Sequence, residues 1–94
     1  MAVTALPETL AWRQNSALAR SMDGRRVLRA GVPGCADVIG VRRGRAIAIE
    51  TKTATGTQRE TQRRFQKAWE RAGGFYTVAR SADDALAALL AAIP

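Results

Sequence analysis

Apolar and polar positions divide the chain into short elements punctuated by glycine-bearing turns. Ala36 to Val41 alternates into Arg43-Gly44, and a second run from Ala46 to Thr53 answers it, the pattern of a β-hairpin with a two-residue loop. Thr57 and Glu60 have capping-box spacing; Phe65, Ala68, Trp69 and Ala72 follow at helical intervals, and Gly73-Gly74 ends that helix. Phe75 to Ala79 reads as a short apolar strand, and Ser81 caps a final helix whose Ala82, Ala85, Leu86, Leu89 and Ile93 form one stripe. Gly31-Val32-Pro33-Gly34 is a loop by composition. The stretch from Leu6 to Arg20 supports two readings. Pro7-Glu8 opens a short helix, or Trp12-Arg13-Gln14-Asn15-Ser16 starts a strand that turns at Asp23-Gly24 and returns through Arg26-Val27-Leu28. A short helix followed by a hairpin is preferred. The predicted order is αβββαβα, an α/β fold with a central mixed sheet flanked by helices, in one domain over residues 1–94.

Composition narrows the chemistry. With no histidine, a histidine general base and a Ser-His-Asp triad are excluded. With Cys35 as the lone cysteine, an internal disulfide and an ordinary Cys/His zinc site are excluded as well. Catalysis would have to run on carboxylates, Lys, Arg, hydroxyls or that thiol. The net charge of +7, from 15 basic and 8 acidic residues, suits a polyanionic partner, because each neutralised phosphate releases a condensed counterion. Nucleic acid is the natural candidate; a well-solvated basic surface is the alternative. No apolar run approaches the roughly 18 residues of a membrane span, and Met1 to Leu10 lacks the basic and apolar regions of a signal peptide. A cytoplasmic protein is expected.

The hairpin brings candidate chemistry together. Pairs symmetric about Arg43-Gly44 are Arg42 with Arg45, Val41 with Ala46, Ile39 with Ala48, and Asp37 with Glu50. Directly opposed Cβ atoms lie about 4.5 to 5.5 Å apart. Two carboxylates so placed repel each other unless a cation sits between them, which is how a hard ion such as Mg²⁺ is held. Lys52 follows Glu50 by two residues, so the pleat points it to the same face. There it can stabilise charge on a phosphate or orient an attacking water. Lys52 and Lys67 are the only lysines in an arginine-rich chain. The plainer alternative makes Asp37 and Glu50 exposed hairpin residues with Lys52 as their surface ion-pair partner. Gln62 falls on the inward stripe of its helix and needs a partner: the lysine, a metal-bound water, a phosphate or a backbone group. Arg63, Lys67 and Arg71 recur every four residues, a stripe that tracks a DNA backbone or faces solvent.

The run from Gly31 to Ser81 resembles the virus-type replication-repair nuclease (VRR-NUC) domain, a branch of the PD-(D/E)xK nucleases. The resemblance rests on Val32-Pro33-Gly34-Cys35-Ala36-Asp37-Val38-Ile39-Gly40-Val41, on Ile49-Glu50-Thr51-Lys52-Thr53, on Gly56 followed by Gln62, and on Gly73-Gly74 before Val78-Ala79-Arg80-Ser81. Trp12-Arg13-Gln14-Asn15-Ser16 also looks like the segment that precedes the core in small phage members. The resemblance implies a PD-(D/E)xK restriction-endonuclease-like core with a Mg²⁺ or Mn²⁺ site made by Asp37, Glu50 and the backbone carbonyl of Thr51, completed by Lys52 and Gln62. It implies a structure-selective DNA endonuclease: a Holliday-junction-type resolvase or a phage replication and repair nuclease, homodimeric, working in the host cytoplasm if phage-encoded. Arg13, Asn15, Arg63, Lys67 and Arg71 are the expected DNA contacts. The sequence departs from the family in two places. Ala36 stands where a proline usually precedes the aspartate, and little chain precedes Trp12, so that Glu8 is either the counterpart of the metal-supporting acid of the family's N-terminal helix or unrelated to it.

Two other classes compete. One is a non-catalytic DNA-binding module with a vestigial nuclease site, which shares the charge and the fold. The other is a small interaction subunit whose Ala/Leu-rich last helix docks on another protein, and burial of that stripe within the monomer would remove its motive.

Overall fold

Arg43 and Gly44 both take positive φ, 49° and 84°, as a two-residue hairpin turn of type I′ requires. In the computed structural model of the chain, which describes residues 3–14, 18–20, 27–29 and 32–94, this turn sets the register of two antiparallel strands. They are β4 (Val38–Arg42) and β5 (Arg45–Thr51), with Arg42 opposite Arg45, Val41 opposite Ala46, Ile39 opposite Ala48 and Val38 opposite Ile49. The register is the one the sequence predicts, although β4 begins after Ala36 and Asp37 and β5 stops before Lys52 and Thr53.

The hairpin is the centre of a four-stranded mixed sheet of order β1-β4-β5-β6, in which β1 (Thr9–Arg13) runs antiparallel to β4 and β6 (Phe75–Ala79) parallel to β5. A parallel neighbour needs a crossover. Helix α1 (Glu60–Arg71) provides it, and α2 (Ala82–Ala92) follows β6. Alternation along β5 sends Ile47 and Ile49 to one face, where they pack with Ala85, Leu89 and Ile93 beside α2. Ala48 goes to the other, with Tyr76, Phe65 and Trp69 beside α1. The sheet is thus sandwiched between helices, an α/β architecture.

Several expectations need correction. Pro7-Glu8 opens no helix: a 3-10 turn at Val3–Ala5 precedes them, Glu8 takes φ 56°, and the next residues are already strand β1. The order is therefore not αβββαβα; among the described residues five strands precede α1. Trp12 does lie in a strand, but its partner is Ile39 of β4, a long-range pairing that local pattern does not reveal. β2 (Leu18–Arg20) and β3 (Val27–Arg29) form a separate antiparallel pair. Their register is symmetric about Asp23-Gly24, the predicted turn, which lies outside the described residues. Helix α1 starts later than Thr57 suggests: Arg59 is its N-cap, and Gln62 reaches back to accept the Arg59 backbone N–H at 2.8 Å. Ala68 and Ala72 are exposed; the face turned to the sheet is Gln62, Phe65, Gln66 and Trp69. At the other end Gly73 takes φ 97° after the Ala72 C-cap, as predicted. In α2, Ala85 and Leu89 are buried and Ser81 Oγ accepts the Asp84 N–H, also as predicted. Of the predicted stripe Ala85, Leu89 and Ile93 are buried and Leu86 half-buried, while Ala82 is exposed, so most of the face that the docking-subunit reading needs is taken up within the chain. Among the described residues no helix is long and apolar enough to cross a membrane.

Candidate active site beside the open end of the hairpin

Past the last ladder pair, Val38 with Ile49, the strands begin to part. Asp37 no longer pairs with β5 through its backbone, although its carbonyl still accepts the Gln14 N–H at 2.7 Å on the β1 side; its carboxylate Oδ2 accepts the Thr51 backbone N–H at 2.9 Å and the Thr51 hydroxyl at 2.6 Å. The carboxylate thus closes the end of the hairpin. N–H and C=O of one strand residue leave the same edge, so the Thr51 carbonyl also lies on the Asp37 side.

Glu50 shares a face of β5 with Ala48, beneath α1, and is only 3% exposed. Its Oε1 accepts Gln62 Nε2 at 3.2 Å and lies 3.7 Å from Lys52 Nζ. Its Oε2 is buried with no hydrogen-bond partner. Lys52 Nζ donates to Gln62 Oε1 at 2.9 Å, so Gln62 joins acid, amine and helix cap through one amide. The plainer reading of these residues as an exposed ion pair fails on burial: the Lys52 side chain is 14% exposed and that of Glu50 4%.

The electrostatics separate the two acids. Burial, then the neighbouring Asp37 carboxylate, push the Glu50 carboxyl up to about 7, with Lys52 and Arg59 pulling the other way. Burial acts on Asp37 too, but the hydroxyl and backbone N–H of Thr51, with Glu50 and the Lys52 charge adding to them, together hold that carboxyl below its ordinary value. Near neutral pH the pair therefore carries one firm charge and one poised charge. Burial and the same two acids push the Cys35 thiol up, which keeps it from serving as a ready thiolate.

These groups line an open cleft of about 490 Å³ walled by Pro33, Gly34 and Cys35 on one side and by Arg59, Thr61 and Gln62 of the α1 N-terminus on the other. Gly34 is required at this wall. It has φ 71°, and an added Cβ would sit 2.2 Å from the Thr61 carbonyl oxygen. A second cavity of about 240 Å³ lies on the α2 side of Asp37 and Thr51, bordered by Arg13, Arg80 and Ser81.

Asp37, Glu50, Thr51, Lys52 and Gln62 thus come together as the sequence predicts. Glu8 does not join them. It pairs with Arg43 at 2.8 Å, at the closed tip of the hairpin and the far end of β4 from Asp37. Among the described residues no group of three or more His, Cys, Asp or Glu is gathered. Arg13 is exposed beside the second cavity, on the face of the sheet away from Glu50. Arg63, Lys67 and Arg71 are exposed on α1, with Arg63 donating to the Gln58 carbonyl. Asn15 lies outside the described residues. Arg59 escaped the sequence reading. Its signal was present in the capping spacing to Gln62, three residues on, masked by the more conventional Thr57.

The donor set fits a hard divalent cation. Two adjacent carboxylates, one with a buried oxygen lacking any partner, and a carbonyl on the same edge are oxygen ligands of the right charge. No protein-family model, curated protein or solved structure matches the chain.

Proposed function

We propose that this chain is a metal-dependent DNA endonuclease that hydrolyses phosphodiester bonds, built on a PD-(D/E)xK core of the VRR-NUC branch. The observation that carries the reading is Glu50: a nearly buried carboxylate with an orphaned oxygen, set against Asp37 and reached by Lys52. Burying Glu50 beside a second acid costs stability, and a bound cation offsets that cost. A hairpin followed by a helical crossover to a parallel strand supports the PD-(D/E)xK assignment.

Asp37, Glu50 and the Thr51 carbonyl would hold Mg²⁺ or Mn²⁺, which when bound supplies polarisation of the phosphate and a more acidic water. Thr51 fixes the Asp37 carboxylate through two hydrogen bonds, so the ligand needs little reorganisation. Gln62 holds the Lys52 ammonium over the cleft, where its remaining donors face the non-bridging oxygens of a phosphodiester as negative charge builds on them. The exposed stripe of Arg63, Lys67 and Arg71 along α1 suits a DNA backbone. The family resemblance adds branched DNA as the substrate and a homodimer that presents two sites to a two-fold junction.

The test is cleavage of labelled four-way junction, flap and linear duplex in Mg²⁺, Mn²⁺ or chelator, with Lys52→Ala alongside. Metal-dependent cutting is expected, reduced roughly 100-fold or more in the variant, while DNA binding in chelator changes little. Binding without cleavage of any substrate in either metal would establish the non-catalytic DNA-binding module instead. The separation of Glu8 from the acid pair is the observation that favours that alternative.

A further inference from the structure

Two cations border the cleft, and their circumstances differ. Lys52 is the inner one: it is mostly buried, donates to Gln62 and pairs with Glu50. Those contacts restrict how far it can reach for an incoming strand. Arg59 is the outer one. Its side chain is exposed at the α1 N-cap, lines the cleft, and makes no capping hydrogen bond. Among the described residues no hydrogen bond or ion pair holds the guanidinium; its one interaction is the longer-range attraction that lowers the Glu50 carboxyl, which keeps it near the acids without occupying its donors. The next residue, Glu60, pairs with Arg64 at 2.8 Å and makes no ion pair with Arg59.

We propose that Arg59 is the phosphate anchor of the site: its guanidinium captures the non-bridging oxygens of the phosphodiester at the cleft mouth and delivers that group to Lys52. This rests on the nuclease reading. A planar guanidinium presents paired N–H donors that match two phosphate oxygens, whereas a restrained ammonium acts as a point charge. The division of labour follows from geometry. The exposed, uncommitted cation contributes to association, and the inner, tethered cation contributes to the chemical step.

The local backbone makes the idea separable from a structural role. The N-cap hydrogen bond runs from the Arg59 backbone N–H to Gln62 Oε1, so truncating the side chain leaves the cap intact. Arg59→Ala and Arg59→Lys would be assayed as full-length protein on a labelled four-way junction, for KM and kcat in Mg²⁺ and for binding in chelator over a salt series. Arg59→Ala is expected to raise KM roughly tenfold or more, as loss of a charge-assisted contact should, with kcat within about threefold and an unchanged melting temperature. The slope of log K against log salt should fall by about 0.9, one phosphate contact, and Arg59→Lys should recover part of KM. Unchanged KM and salt slope, or a kcat loss at constant KM, would overturn the assignment. A lowered melting temperature in both variants would make Arg59 structural and overturn it equally. If the wild-type protein cleaves nothing, the nuclease reading fails on its own, and the salt slope in chelator still decides whether Arg59 holds a phosphate.

Discussion

Replacing Glu50 with glutamine should stabilise the cation-free protein while abolishing its activity. In the folded state the Glu50 carboxyl sits near 7, against an ordinary value of 4.5. The sign follows from proton counting: between those two values the folded state holds a proton that the unfolded state has released, so stability falls as pH rises through that window and stays lowered above about 7. A difference of this size corresponds to a cost on the order of 3 kcal/mol at pH 8. Glutamine keeps the shape and the acceptor that Gln62 uses at Oε1, and puts an N–H donor where Oε2 lacks a partner, on the side of Asp37. The attraction of the Lys52 ammonium, 3.7 Å away, is already contained in that value, because it is one of the charges that pull the Glu50 carboxyl down. A gain of about 3 kcal/mol raises the melting temperature by roughly 15 °C for a domain of this size. Thermal unfolding followed by circular dichroism in chelator, at pH 8 and again at pH 4.5, reads it directly. The expected result is a variant more stable at pH 8, nearly equal to wild type at pH 4.5, and no longer stabilised by Mg²⁺ or Mn²⁺. A variant less stable than wild type by the same amount at both pH values would mean that Glu50 is well satisfied as an anion, and the argument for a cation site would lose its basis.

Two further substitutions probe how the cleft is held. Gln62→Ala removes the amide that links Glu50, Lys52 and the Arg59 cap; it should cost about 1–3 kcal/mol in urea unfolding, and kcat should fall because Lys52 loses its tether. Gly34→Ala forces a Cβ to within 2.2 Å of the Thr61 carbonyl at a φ of 71°. It should destabilise by roughly 3 kcal/mol or more in the same measurement, with wild-type stability at that position refuting the close approach of loop and helix.

The hairpin shows why much of the site could be read from sequence. A two-residue turn ending in glycine has few allowed geometries, and the register of everything attached to it then follows from a period of two. Asp37, Glu50, Thr51 and Lys52 are all within a few residues of that turn's ladder, so their grouping is a local property. Gln62 was legible as an inward polar residue because helical spacing from Phe65 and Trp69 is equally local. The glycine pair after α1 and the Ser81 cap of α2 mark their ends for the same reason.

What lay beyond the sequence depends on contacts between distant segments. That Thr9–Arg13 is a strand follows from its pairing with β4, across some 25 residues of intervening chain, and local propensity around Pro7-Glu8 gives no hint of it. The same pairing carries Glu8 to Arg43 at the closed tip of the hairpin, away from the acids it was expected to join. The choice of Arg59 over Thr57 as N-cap is set by Gln62, whose amide is held by the buried carboxylate beneath it. Above all, sequence places a glutamate opposite an aspartate but says nothing of solvent. Only the packing of α1 over β5 removes water from Glu50, leaves one of its oxygens without a partner, and turns a common pair of hairpin acids into a poised one.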